Sequence, residues 1–506
     1  MMKAEIKRLI SNGEYEKARF MIGQYETDIQ DDSEIYLLKS LCSIGLNDIK
    51  KAVSEAEQAV KNMPYVANAH YNLGYMYEFC GEWMKAYEQY SIAQELVDGG
   101  NLGQFNRDEL DHFKNQLLNR ISEELNEGTK EEFLEKKHFI DYIVVQEDVG
   151  WGVRKAMFND IYSEIIASNY MDYSELPKMF LGIAGLPSES NYVMGIQRKD
   201  TVMETTEIQR VSEEKNYFEI VTEHESYLPI IMDKPNSLMF QLEDKQVDVS
   251  YVSPFQYVNF RIPKGRTVVN SEKAKFRVGE IVPIVHDENR KKLVLNIFVD
   301  GLSQTVLGKD FEKVMPHTYK FFQSGMVCEN AYTAGDWTFP SIASITTGQT
   351  IANHKMLHSK LLRKIDIDTP ILFEYFKNAG YNTTKIGGNW RIAPNYGYAR
   401  GMNRVFYQHM YEGYTADRVI AETEEQMYRM QETDQFIWME IGELHLIADE
   451  LDIAPLQSQF MVWENETLEE KINSVKQNYD PTKRKYYLKQ VEYIDRRLAS
   501  LYRYIE

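Results

Sequence analysis

The chain has 506 residues, 43% of them hydrophobic, and a formal net charge of −20. That length can fill more than one core and predicts two or three domains, while a pI near 5.1 argues against an extended nucleic-acid or anionic-membrane surface. Cys42, Cys80 and Cys328 are too few and too scattered for a disulfide framework or paired metal knuckles. The N-terminus lacks the apolar core of a signal peptide and no stretch reaches the ~18 apolar residues of a membrane span, so a cytoplasmic protein without a membrane span is expected.

The first hundred residues carry an internal repeat. Ala18, Ala52 and Ala86 are spaced by 34, as are Ala59 and Ala93, with Pro64 closing one turn of the pattern. A period of 34 is that of the tetratricopeptide repeat, and the third copy, with Leu73, Gly74, Tyr77, Ala86, Tyr90 and Ala93, resembles it most. So short an array needs capping, which a helical stretch at about 105–127 could supply. We therefore delimit a helical solenoid at 1–127. Its concave face would dock a protein or peptide partner, or its helices would pack only on the rest of the chain.

Residues 138–288 change texture to β. Phe240 to Glu243, Val247 to Tyr251 and Val258 to Ile262 alternate apolar and polar side chains between turn-forming segments, the pattern of antiparallel strands with one wet face. A small sheet or sandwich with an accessory role is expected there, after a mixed stretch at 138–185 that the pattern leaves unassigned.

From residue 291 to 506 strands and helices alternate. An apolar strand runs from Leu293 to Val299, a helix is expected at Phe311 to Ser324, another after Thr338, others at Ile371 to Ala379 and Ala416 to Met430, and a strand at Phe436 to Met439. This order predicts a mostly parallel sheet flanked by helices, with its site at the strand C-termini. The last helix opens at Asp480-Pro481 and shows an apolar stripe of Tyr487, Val491, Ile494, Leu498 and Leu501. The fold class is thus multidomain: a tetratricopeptide-like solenoid, a β-rich middle and a C-terminal α/β domain.

Four ordered segments of this last region carry a resemblance: Asp300 at the end of its strand, Thr338 followed by Pro340, Ser341, Ala343 and Thr347-Gly348, Gly380-Tyr381-Asn382-Thr383 with Gly388-Asn389-Trp390-Arg391, and Glu443-Leu444-His445 after the second strand. Together they resemble the alkaline phosphatase superfamily, and within it sulfatases, nucleotide pyrophosphatases and phosphoethanolamine or glycerol-phosphate transferases. The resemblance implies Asp300 as a metal-binding acid and Thr338 as metal ligand and nucleophile, acting through a phosphothreonine. One or two divalent ions, zinc or manganese, would be the cofactor. Asn389, Arg391, Glu443 and His445 would bind substrate. Asn389 and Arg391 could donate hydrogen bonds to phosphate oxygens or belong to a surface loop, and His445 could protonate a leaving group or be structural.

Threonine cannot become the formylglycine aldehyde through which sulfatases attack sulfate esters. Ile342, Asn389 and Arg391 also replace the arginine, lysine and histidine of sulfatases, so phosphoesters, among them glycan or polyol phosphates, are the expected substrates. The resemblance further implies a final strand carrying an aspartate-histidine pair, where this sequence stops at Ile505-Glu506. A fragment, ligands from elsewhere, or a site that does not turn over are the expectations left open. The alternative to an enzyme is a noncatalytic scaffold that couples the repeats to a degenerate phosphatase-like domain.

Overall fold

The computed structural model describes residues 2–29, 32–98, 108, 110–117, 120, 142–146, 151–155, 179–183, 206–212, 214–232, 236–253, 256–328, 330–357, 365–392, 394–407, 415–444 and 484–506. The chain divides into two compact units, one of residues 1–156 with 357–363 and one of residues 157–356 with 364–506.

The first unit is helical over α1 (Met2–Ser11), α2 (Tyr15–Asp28), α3 (Ile35–Gly45), α4 (Ile49–Asn62), α5 (Ala67–Phe79) and α6 (Trp83–Asp98). The alanines that set the 34-residue period, Ala18, Ala52, Ala59, Ala86 and Ala93, are all fully buried. Gly74 on α5 leaves room for the Tyr90 ring of α6, because a Cβ there would lie 2.6 Å from that ring. Asp48 accepts a hydrogen bond from the Lys51 N–H and so caps α4. Residues 110–117 are helical, and Leu110 and Leu117 pack with Ala86 and Tyr90, which covers the apolar face at the end of the array as a capping segment should. The same unit contains an antiparallel hairpin of β1 (Tyr142–Gln146) and β2 (Trp151–Lys155), strands that the sequence assigned to the middle region.

The second unit contains a sandwich and a doubly wound sheet. In the sandwich, β5 (Tyr217–Thr222), β10 (Gly265–Asn270), β7 (Asn236–Gln241) and β8 (Gln246–Val252) form one antiparallel sheet. The facing sheet holds β6 (Ser226–Met232) between its neighbours β11 (Phe276–Val278), β12 (Val282–Pro283) and β9 (Val258–Ile262). Leu228, Ile230 and Met232 of β6 meet Leu238 and Phe240 of β7 between them. This is the sandwich that the alternating pattern predicts, with β5 and β8 keeping mostly exposed or half-buried side chains.

The larger sheet has the order β13 (Leu293–Val299), β16 (Gln435–Ile441), β14 (Asn382–Gly387), β15 (Arg404–Tyr407), β4 (Thr206–Arg210) and β3 (Met179–Ile183). The first four are parallel, β4 runs antiparallel to β15, and β3 at the edge runs antiparallel to β4. Both edge strands come from chain segments before residue 291, so this sheet extends beyond the interval that the sequence assigned to the C-terminal domain. One face of β16, with Ile437, Met439 and Ile441, packs on α9 (Ala416–Arg429) and α10 (Arg484–Ile505). The other meets α8 (Leu372–Asn378) through Phe373 against Phe436 and Trp438 and through Phe376 stacked on Phe436. The apolar stripe expected on the last helix is buried throughout, while Asp480 and Pro481 lie outside the described residues.

The helix expected at 311–324 is broken into Phe311–Val314, Pro316–Phe321 and a short 3-10 turn, Phe322–Ser324. Pro316 has no N–H and fixes its own φ, and Met315 before it leaves the helical region at φ −126°, ψ 63°. The second piece is capped instead by buried Asp495 of α10, which accepts from the His317 and Thr318 N–H groups at 3.0 and 2.8 Å.

Candidate active site

The sheet order brings β16 in between β13 and β14, so the chain after β13 and the chain after β14 converge over the end of the inserted strand. A crevice at the C-terminal edge of a parallel sheet, where connections diverge, is where open α/β sheets bind ligands. Asp300 follows β13 directly and its N–H donates to the Ile441 carbonyl at 2.8 Å, which fixes the carboxylate at that edge. Asn389 follows β14 after Gly388.

Thr338 is the first residue of α7 (Thr338–Thr347). An ordinary cap would turn the hydroxyl back onto the helix's own N–H groups. Here Trp337 occupies the cap position without a side-chain cap bond, and the Thr338 hydroxyl donates to Asp300, with Oγ1 3.0 Å from Oδ1 and 3.1 Å from Oδ2. Pro340 fits the first turn because it supplies no N–H where none is needed. At the other end Gly348 closes the helix at φ 68°, a left-handed conformation that suits glycine. Ile342 is fully buried and belongs to the core side of α7.

Asn389 donates from Nδ2 to Asp300 Oδ2 at 2.5 Å, and its own Oδ1 accepts from the Arg391 N–H at 3.1 Å. Sequence reasoning assigned Asn389 to substrate, whereas its amide here joins the Asp300 carboxylate. Asp300, Thr338 and Asn389 are 6%, 7% and 1% exposed, so the constellation is held in a low-dielectric setting where its polar contacts gain strength.

Glu443 is brought elsewhere. It is buried, one carboxylate oxygen has no partner among the described residues, and the other polar contact is the Ala416 N–H at the start of α9. Burial pushes its carboxyl up to about 7, with Asp417 adding to the rise and the Ala416 N–H opposing it. His445 lies outside the described residues, as does His358. His354 ends a short helix, donates through Nε2 to Ser344 Oγ at 2.9 Å and accepts the Met356 N–H at Nδ1, a satisfied structural histidine that burial lowers to about 4.

Sequence reasoning missed a buried ion pair beneath the site. Lys385 Nζ on β14 lies 2.9 Å from Glu440 Oε1 on β16, both essentially without exposure. The Trp438 indole N–H donates to the same oxygen at 3.0 Å. The available signal was a glutamate inside the largely apolar run of β16, since a charge buried there demands a partner.

The sulfatase family model matches residues 292–506. The C-terminal domain is sulfatase-like. The match supports a hydrolase or transferase of the sulfatase-like type, a family that generally uses divalent metal. Asp300 and Thr338 offer hard oxygen donors that suit such an ion. Among the described residues no group of three or more His, Cys, Asp or Glu converges. No curated protein matches the chain as a relative. The tetratricopeptide-repeat domain of Sgt2 from Aspergillus fumigatus is similar at 21% identity over 25% of this chain and 80% of that one, with a TM-score of 0.22, too slight a likeness to carry an argument. No helix among the described residues is long and apolar enough to cross a membrane.

Proposed function

We propose that the sulfatase-like domain is a metal-dependent phosphoester hydrolase or phospho-substituent transferase with Thr338 as its nucleophile. The observation that supports this reading is the turn of the Thr338 hydroxyl away from its own helix and onto Asp300. A divalent ion bound by Asp300 and Thr338 would supply charge that stabilises the alkoxide.

The residues of the chain then divide the work. Thr338 Oγ1 forms a bond to phosphorus as the bond to the departing alkoxide breaks, and the proton lost from the hydroxyl is balanced by the one the leaving alcohol gains. The N-terminus of α7 would offer the non-bridging oxygens partial positive charge. Asn389 holds the Asp300 carboxylate in place. Water, or a second alcohol in a transferase, then releases the phosphoryl group from Thr338. Phosphorylated glycans or polyols are the substrates we propose, and the helical repeats would dock a protein or peptide partner.

Turnover of bis(4-nitrophenyl) phosphate by the full chain with Mn2+ or Zn2+, abolished in Thr338→Ala, tests the reading. Absence of both turnover and metal binding would favour the noncatalytic scaffold.

A further inference from the structure

The turn that carries Asp300 begins where β13 ends at Val299. Gly301, the next residue, takes φ 78°, a left-handed conformation, and glycine gives up more freedom than any other residue when it is fixed in one shape. The strand ladder has ended here, so the buried backbone groups of the turn need partners from another part of the chain.

Tyr487 of α10 supplies them. Its hydroxyl donates to the Gly301 carbonyl at 2.7 Å and accepts the Ser303 N–H, also at 2.7 Å. A phenol suits this double contact because one oxygen offers both a proton and lone pairs. Tyr487 is buried and belongs to the same core cluster as Leu307, Ile441 and Ile494, so its ring is anchored in the core independently of the turn it bridges. Asp300 is thereby tethered on both sides along the chain. Its own N–H is bonded to the Ile441 carbonyl, and the carbonyl of the following residue is bonded to Tyr487. The carboxylate that meets Thr338 and Asn389 projects from between these two tethers.

We propose that Tyr487 is a positioning residue: by bridging Gly301 and Ser303 it holds the turn in the shape that presents the Asp300 carboxylate to a divalent ion. The proposal rests on the metal-dependent reading above and deepens it by naming the side chain that preorganises the ligand. A group of this kind governs affinity without touching the ion, because without it the ligand must be ordered at the moment of binding.

Calorimetric titration of the full chain with Mn2+ separates this role from a structural one. Tyr487→Phe keeps the ring and deletes both hydrogen bonds. Its matched control is Tyr502→Phe on the same helix, where the lost hydroxyl lies 3.0 Å from Thr318 Oγ1. With thermal melts confirming that both variants fold, the Kd for Mn2+ should rise ~10-fold or more in Tyr487→Phe and stay at the wild-type value in Tyr502→Phe. Equal affinity in wild type and Tyr487→Phe, or an equal loss in both variants, overturns the positioning role while leaving the metal reading intact. Should Tyr487→Phe not fold, hydrogen exchange on the wild-type chain decides. The Ser303 amide should be protected before any ion is added, and protection that arises only with Zn2+, or not at all, overturns the role. A wild-type chain that takes up no Mn2+ overturns the metal reading and this proposal with it.

Discussion

The hydroxyl of Thr338 sits 3.0 and 3.1 Å from the two carboxylate oxygens of Asp300, across 38 residues of intervening sequence. A strand end and a helix start have been brought to one point, and the functional account follows from that meeting.

Removing either member should separate chemistry from stability. Thr338→Val keeps the shape and deletes the hydroxyl, so phosphodiester turnover should fall to background while the chain stays folded, and Thr338→Ser should retain measurable turnover. Asp300→Ala should cost more than the ~10–100-fold typical of an outer-shell partner. Steady-state rates with Mn2+ alongside thermal melts check all three variants.

Glu443 gives a pH signature. Its folded-state carboxyl is pushed up to about 7 from an ordinary 4.5, so between those values the folded chain holds a proton that the unfolded chain has released. Stability should therefore fall as pH rises through that window, by up to about 3 kcal/mol. Glu443→Gln should remove this slope, leaving the variant progressively more stable than wild type toward pH 7 in denaturant titrations.

His354 should act in the opposite direction. Burial lowers it from 6.5 to about 4, and across that interval the unfolded chain takes up a proton that the folded chain excludes. Stability should fall as pH drops from 6.5 toward 4, and His354→Gln should flatten that part of the profile. A slope unchanged by the substitution would show that the imidazole does not titrate as its packing implies.

The helical unit has its own test. A methyl at Gly74 would press on the Tyr90 ring, so Gly74→Ala should destabilise the repeats by ~1–3 kcal/mol, the usual cost of overpacking. Tyr90→Leu in the same chain should recover part of that loss, and a double-mutant cycle on chemical denaturation would measure the coupling.

Much of this architecture was legible because it depends on local periodicity. The 34-residue alanine spacing marked the helix contacts, the alternation in β7, β8 and β9 marked a sandwich, and the apolar run ending at Asp300 marked a strand with an acid at its C-terminal edge. What sequence could not give was pairing at a distance. β4 joins the sheet by pairing with β15, nearly two hundred positions away, and carries β3 with it, and no pattern within β4 names that partner. Pro316 divides a helix whose apolar pattern reads as continuous. The Asn389 amide can serve an anion or a carboxylate equally, and its approach to Asp300 is not marked by any pattern in the sequence. Glu440 was visible as a charge in an apolar strand, but its contact with Lys385 required β16 to pair with β14.

The most direct measurement is mass spectrometry of the full chain quenched during turnover of a slow phosphodiester in Mn2+. The account expects a covalent phosphoryl adduct located on Thr338 and absent in Thr338→Val. Turnover at the wild-type rate with no adduct on Thr338, or its persistence in the valine variant, would contradict it.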